Sequence, residues 1–133
     1  MIAAAAGEQA KNRESPTMET LSVESLRRAI EGRDGRTLAS FYAPDAVLRI
    51  IDAANPPSRP REIRGRDAIA AYYDDVCGRT MTHQVAFGVA EGDRLAFTQN
   101  CTYPDGKRVF CSAALDLEGG RIARQVAVQA WDA

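Results

Sequence analysis

After residue 80 the spacing of apolar residues switches from three-and-four to two, and it stays at two for four consecutive stretches. Met81–Ala90, Arg94–Tyr103, Arg108–Leu117 and Ile122–Trp131 each alternate apolar and polar residues, as strands with one buried face do. Glu91-Gly92-Asp93, Pro104-Asp105-Gly106 and Gly119-Gly120 separate them, and connections this short join antiparallel neighbours. Four antiparallel strands in meander order are predicted for the C-terminal half.

Upstream, helical spacing dominates. Ser22 reads as an N-cap, and Val23, Leu26 and Ile30 recur at helical spacing as far as Gly32, which predicts a first helix. Asp34 can cap a second, short helix carrying Leu38, Phe41 and Tyr42, stopped by Pro44. Branched residues over Ala46–Asp52 predict a strand. Ala53–Glu62 contains Pro56, Pro57 and Pro60, so it reads as a loop without regular pairing. A third helix opens at Gly65 and stacks Ile69, Tyr72, Tyr73 and Val76 on one face up to Gly78.

Residues 1–18 lack apolar periodicity and are assigned as a flexible tail, leaving 19–133 as one domain; Met18 is an alternative start. With 45% apolar and 26% charged residues, the chain suits one packed core. Seventeen basic residues against eighteen acidic ones leave no field to attract nucleic acid or an anionic membrane. No apolar run approaches the roughly 20 residues of a membrane span, and the Ala-rich start lacks a basic lead. Cys77, Cys101 and Cys111 form no CxxC pair, which favours reduced thiols and a soluble, cytoplasmic protein.

Three stretches, in this order, carry a resemblance. They are Phe41-Tyr42-Ala43-Pro44-Asp45-Ala46-Val47, then Arg64-Gly65-Arg66-Asp67-Ala68-Ile69-Ala70-Ala71-Tyr72-Tyr73, then Glu118-Gly119-Gly120-Arg121-Ile122. Together with the element order they make residues 20–132 look like the nuclear-transport-factor-2-like superfamily, which includes ketosteroid isomerases and SnoaL-like polyketide cyclases. The resemblance implies an α+β fold, cystatin-like, in which a cone-shaped, curved antiparallel sheet wraps around three helices and its open end receives a small, mostly apolar molecule. The family's catalytic groups do not carry over. Its general-base aspartate falls near Ile50, its oxyanion-hole tyrosine near Leu26, its protonated aspartate near Ala113 and its late-strand aspartate near Ala127.

Strand alternation assigns a concave face to Leu48, Ile50 and Asp52; to Met81, His83, Val85, Phe87 and Val89; and, further on, to Gln99, Cys101, Tyr103, Cys111, Gln125, Gln129 and Trp131. Centring the hairpins on Gly92 and Gly106 pairs His83 with Cys101 and Cys101 with Cys111, at about 5 Å between Cβ atoms. Such a row could form a thiolate–imidazolium pair or hold zinc. The plainer reading makes both cysteines core fillers, and no metal is assigned. His83, the only histidine, is the default acid or base, and Asp52 its candidate partner carboxylate; a solvated loop position is the alternative for Asp52. Tyr73, Gln99, Cys101, Tyr103, Cys111, Gln125, Gln129 and Trp131 are the candidate ligand contacts. For Tyr103 a hairpin cover, and for the glutamines internal hydrogen bonds, are the competing readings.

Arg59, Arg61, Arg64 and Arg66 make the loop before the third helix basic, either as a carboxylate-recruiting patch or as a solvated surface. Val126, Val128 and Ala130 form an apolar ridge on the opposite sheet face, through which family members often dimerise, so a homodimer is expected. Two functions fit. One is a cofactor-independent isomerase, cyclase or hydrolase acting on a small apolar carbonyl or epoxide compound. The other is a non-catalytic ligand-binding or dimerisation module.

Overall fold

In the computed structural model, which describes residues 20–133, Ser22 starts the first helix with a reciprocal pair of bonds. Its Oγ accepts from the Ser25 amide at 3.0 Å, and the Ser25 Oγ accepts from the Ser22 amide at 2.8 Å. Helix α1 (Val23–Glu31) buries Leu26, Ala29 and Ile30 and ends at Gly32. Asp34 caps α2 (Gly35–Ser40) by accepting from the Thr37 amide at 3.1 Å and the Thr37 hydroxyl at 2.7 Å.

Helix α2 is shorter than the apolar spacing predicts. Phe41 is its C-cap, and Tyr42 already belongs to β1 (Tyr42–Ile51). Pro44 disfavours helical geometry at Ala43, so the chain leaves the helix early and enters the sheet. The prolines keep residues 56–60 out of the sheet, but Arg61 and Glu62, expected in the loop, begin β2 (Arg61–Arg64). This edge strand pairs antiparallel with β1, Ile50 opposite Arg61 and Leu48 opposite Ile63. Helix α3 (Arg66–Gly78) follows, with Gly65 as N-cap at φ 89°.

The meander forms as expected: β3 (Thr82–Glu91), β4 (Arg94–Thr102), β5 (Arg108–Glu118) and β6 (Arg121–Trp131). Both residues of the Gly119-Gly120 turn have positive φ, as a type I′ hairpin demands. The full sheet order is β2-β1-β6-β5-β4-β3. It is not wholly antiparallel, because β6 returns beside β1 in parallel, with Leu48 opposite Gln125 and Ile50 opposite Ala127. Nor does it close: β2 and β3 are its edges. The architecture is an α+β cone, with helices packed into the concave face around Leu26, Leu38, Leu48, Ile69, Phe97 and Ile122.

Two registers differ from expectation. In the first hairpin, pairing runs from Glu91↔Arg94 to Phe87↔Thr98, skips Ala86, and resumes at Val85↔Gln99. The bulge reverses the alternation, so Phe87 (74% exposed) and Val89 (69% exposed) face outward rather than into the cone. Helix α1 holds the bulge: Arg27 donates to the Val85 carbonyl at 3.1 Å, and Glu31 accepts from the Val85 amide at 2.9 Å. Gly88 then faces the helix so closely that a Cβ there would lie 2.5 Å from Val23 Cγ1. In the second hairpin the turn is centred one residue earlier than Gly106, so Cys101 faces Val109 and Cys111 faces Gln99. Cys101 and Cys111 share a face but are not opposed.

Val126, Val128 and Phe110 remain exposed on the outer face. No helix among the described residues is long and apolar enough to cross a membrane. The assigned tail lies outside the described residues.

Candidate functional site

A cavity of about 250 Å³ lies between the concave sheet face and the helices. All ten residues singled out from the sequence line it: Asp52, Tyr73, His83, Gln99, Cys101, Tyr103, Cys111, Gln125, Gln129 and Trp131. Their hydrogen bonds divide them into groups with different capacities.

The first group is closed on itself. Gln125, 5% exposed, accepts from the Tyr42 hydroxyl through Oε1, and the Tyr42 and Tyr73 hydroxyls lie 2.6 Å apart. Because the Tyr42 proton goes to Gln125, Tyr73 is the donor in the second bond. Burial pushes both phenols above their ordinary pKa, so they remain neutral. Tyr42 is the group's hub, and an assignment to the second helix hides it. The signal that locates it is Pro44, which requires an extended chain just after it.

The second group rims the cavity. Gln129 Nε2 approaches the Tyr72 hydroxyl at a long 3.5 Å, and the Trp131 indole donates to Gln129 Oε1 at 3.3 Å. Trp131 stacks on Tyr103 with centroids 6.0 Å apart. Arg79 donates to the Tyr103 hydroxyl at 3.0 Å and pairs with Asp75 at 2.6 Å. Tyr103 therefore does more than cover a turn. The Arg61 guanidinium lies 5.4 Å above the Tyr72 ring. Tyr72 and Arg79, which were not candidates, line the cavity too, as does Arg61 of the basic loop; Arg59, Arg64 and Arg66 do not.

The third group contains the histidine. His83 sits opposite Cys101 in the ladder, and its Nδ1 lies 3.1 Å from Cys101 Sγ. The thiol donates to Gln99 Oε1 at 3.4 Å. The thiol has one proton: given to Gln99, it leaves Nδ1 as the donor to sulfur and Nε2 with the lone pair, and given to Nδ1 it reverses those roles. We take the first arrangement, which the tautomer of the ring tests. Nε2 is buried without a hydrogen-bond partner among the described residues. Burial above all, and then the charge of Arg33, lower the His83 pKa, outweighing a raising contribution from Gln99, so the ring is neutral near pH 7. Burial pushes the Cys101 thiol up to about 11 and, with the nearby Cys101, the Cys111 thiol up to about 12.

A thiolate–imidazolium pair is thus replaced by a neutral thiol–imidazole pair. The offset of Cys111 also breaks the row that would hold zinc, and among the described residues no three His, Cys, Asp or Glu side chains converge on a metal position. Asp52 lines the cavity but does not join His83. Its Oδ1 accepts from the Ala54 amide, the Asn55 amide and the Asn55 side chain at 2.9–3.0 Å, which shapes the loop after β1.

Residues 23–125 match the SnoaL-like domain family. The chain belongs to the SnoaL-like family. Its fold is shared with an NTF2-like protein of unknown function from Mesorhizobium loti, 16% identical, with a TM-score of 0.68 over 83% of this chain and 87% of that one. A candidate ketosteroid isomerase from Kribbella flavida aligns with a TM-score of 0.63 at 20% identity, covering 83% of this chain and 74% of its own. A candidate polyketide cyclase from Sinorhizobium meliloti gives 0.58 at 19% identity, over 79% and 91%. None of the curated proteins matches in sequence. In this SnoaL-like cone, Leu26, Ile50 and Ala127, where the resemblance would put a tyrosine, a base and a late-strand aspartate, all line the cavity with apolar side chains. Any polar chemistry in this cavity must come from other positions.

Proposed function

We propose that this SnoaL-like chain binds a small, mostly apolar carbonyl or epoxide compound in the cone and moves a proton on it without a cofactor, with His83 as the base. The observation that carries the reading is the buried, unpartnered Nε2 of a neutral imidazole in the cavity wall. A buried acceptor without a partner costs about 1–3 kcal/mol, so native proteins retain few of them, and a turn of the ring that brings Nε2 to the cavity surface would let a ligand proton satisfy this one. At about 250 Å³ the cavity falls just below the ~300–1,000 Å³ of drug-sized pockets, which favours a ligand of one or two rings. Tyr72 and Gln129, which meet each other only at a long 3.5 Å, supply oxygen-binding groups around it.

A second reading, a pocket that binds without catalysis, is favoured by the engagement of Asp52 in its own turn and of Gln125 with Tyr42, which leaves His83 without an assisting carboxylate. One experiment separates the two. Small ketones and epoxides are titrated by NMR, and deuterium exchange at the carbon beside the carbonyl of bound ketones is followed in D₂O. Exchange accelerated by the native chain and lost in His83→Gln is the expected result. Binding without acceleration leaves the second reading, and a cavity that takes up none of the compounds overturns both.

A further inference from the structure

The charges around the cavity are not balanced in the same way. Arg79 is compensated by Asp75 at 2.6 Å and anchored on Tyr103. Arg49 and Arg64 share Glu62, at 2.8 and 3.0 Å. Asp52, the one carboxylate in the cavity wall, spends Oδ1 on three donors of its own loop. Arg61 is different. Its guanidinium has no carboxylate within ion-pair distance among the described residues, and it rests over the face of Tyr72.

Its placement follows from the register of β2. Arg61 is opposite Ile50, whose side chain lines the cavity, and Arg61 lines it too. A guanidinium resting over an aromatic ring is held by attraction to the ring face while its N–H edges stay available in the guanidinium plane. That geometry suits a carboxylate, which accepts two parallel N–H bonds from such a fork. Beyond Arg61 the wall combines the aliphatic Ile50 and Ala127 and the rings of Tyr72 and Trp131 with polar side chains, Asp52 and Gln129 among them.

We propose that this small carbonyl or epoxide compound also carries a carboxylate, held by Arg61 at the rim while its ring or chain fills the cone. This rests on the cavity being a ligand pocket and names the class of molecule it takes. Trp131 is the only tryptophan and lines the same cavity, so its indole N–H resonance reports occupancy.

The test titrates trans-cinnamate and its uncharged isostere cinnamamide into the isotopically labelled chain, reading the Trp131 indole signal, for the native protein, Arg61→Gln and Arg59→Gln. Arg59 is an exposed loop arginine outside the cavity wall and controls for general positive charge. Cinnamate is expected to bind at least about ten-fold tighter than the amide in the native chain and in Arg59→Gln, with the preference gone in Arg61→Gln. Equal binding of acid and amide, or a preference that survives Arg61→Gln, overturns the carboxylate proposal while leaving the pocket intact. So does a Trp131 signal moved by neutral ketones but not by cinnamate. A signal moved by none of these compounds overturns the pocket reading as well.

Discussion

Two polar groups in the cavity wall handle burial in opposite ways. On the β1–β6 side, Tyr42, Tyr73 and Gln125 pass hydrogen bonds from one to the next and satisfy one another. On the β3–β4 side, His83, Cys101 and Gln99 form a similar chain, yet it ends on a ring nitrogen that has no partner among the described residues. A completed network fixes the shape of a cavity, because removing any member strands its neighbours. An uncompleted one offers a bonding position to whatever enters, which is why the two sides are assigned different work.

The sharpest contrast is in reactivity. With its pKa pushed up to about 11, the Cys101 thiol should carry roughly a hundred-fold less thiolate at pH 8 than a thiol at the ordinary value. Alkylation followed residue by residue by mass spectrometry should show Cys101 and Cys111 reacting slowly in the folded chain and rapidly once it is unfolded. Fast labelling of native Cys101 would mean that the imidazole is activating it.

Next comes the closed side. Tyr42→Phe leaves the Gln125 oxygen buried without its donor and should cost about 1–3 kcal/mol in denaturant unfolding. Adding Gln125→Leu should recover part of that loss, since it removes the stranded Gln125 oxygen and leaves only the Tyr73 hydroxyl without its acceptor. Additive losses would show that the two groups do not depend on each other.

The open side should respond to pH instead. Burial holds the folded pKa of His83 below its unfolded value of roughly 6.5. Between those two values the unfolded chain binds a proton that the folded chain refuses, so this contribution is complete above roughly pH 6.5 and is lost as pH falls through the window. Unfolding free energies measured across that range should show the slope in the native chain and a flatter profile in His83→Gln. The smallest effect is expected at Asp52. Asp52→Asn keeps an oxygen for the loop amides and should change stability by less than about 0.5 kcal/mol, with the His83 titration unmoved; a displaced titration would restore Asp52 as its partner.

Much of this arrangement was legible because its determinants are local. Ser22 and Asp34 announce helix starts, and the glycine turns announce hairpins. The elements that escaped depend on distant chain. The parallel pairing of β6 with β1 leaves no mark in either segment, and β2 owes its existence to the open edge of β1. The pairing of His83 with Cys101 expected from a hairpin centred on Gly92 holds: the pairs next to the turn are centred half a residue later, and the bulge at Ala86 restores the Gly92 register. That bulge, held by Arg27 and Glu31 from α1, is also why the alternation failed for Phe87 and Val89. For the site, every chosen residue lines the cavity, since inward alternation selects such positions. Which of them are already spent, as Asp52 and Gln125 are, depends on partners that sequence spacing does not reveal.

The difference between the two sides comes down to the protonation of one ring. Long-range proton–nitrogen NMR of His83, followed through a pH titration of the ligand-free chain, reads both the tautomer and the pKa. The prediction is a ring protonated at Nδ1, a bare Nε2, and a midpoint below 6.5. A proton found on Nε2, or a midpoint at or above 6.5, would contradict it.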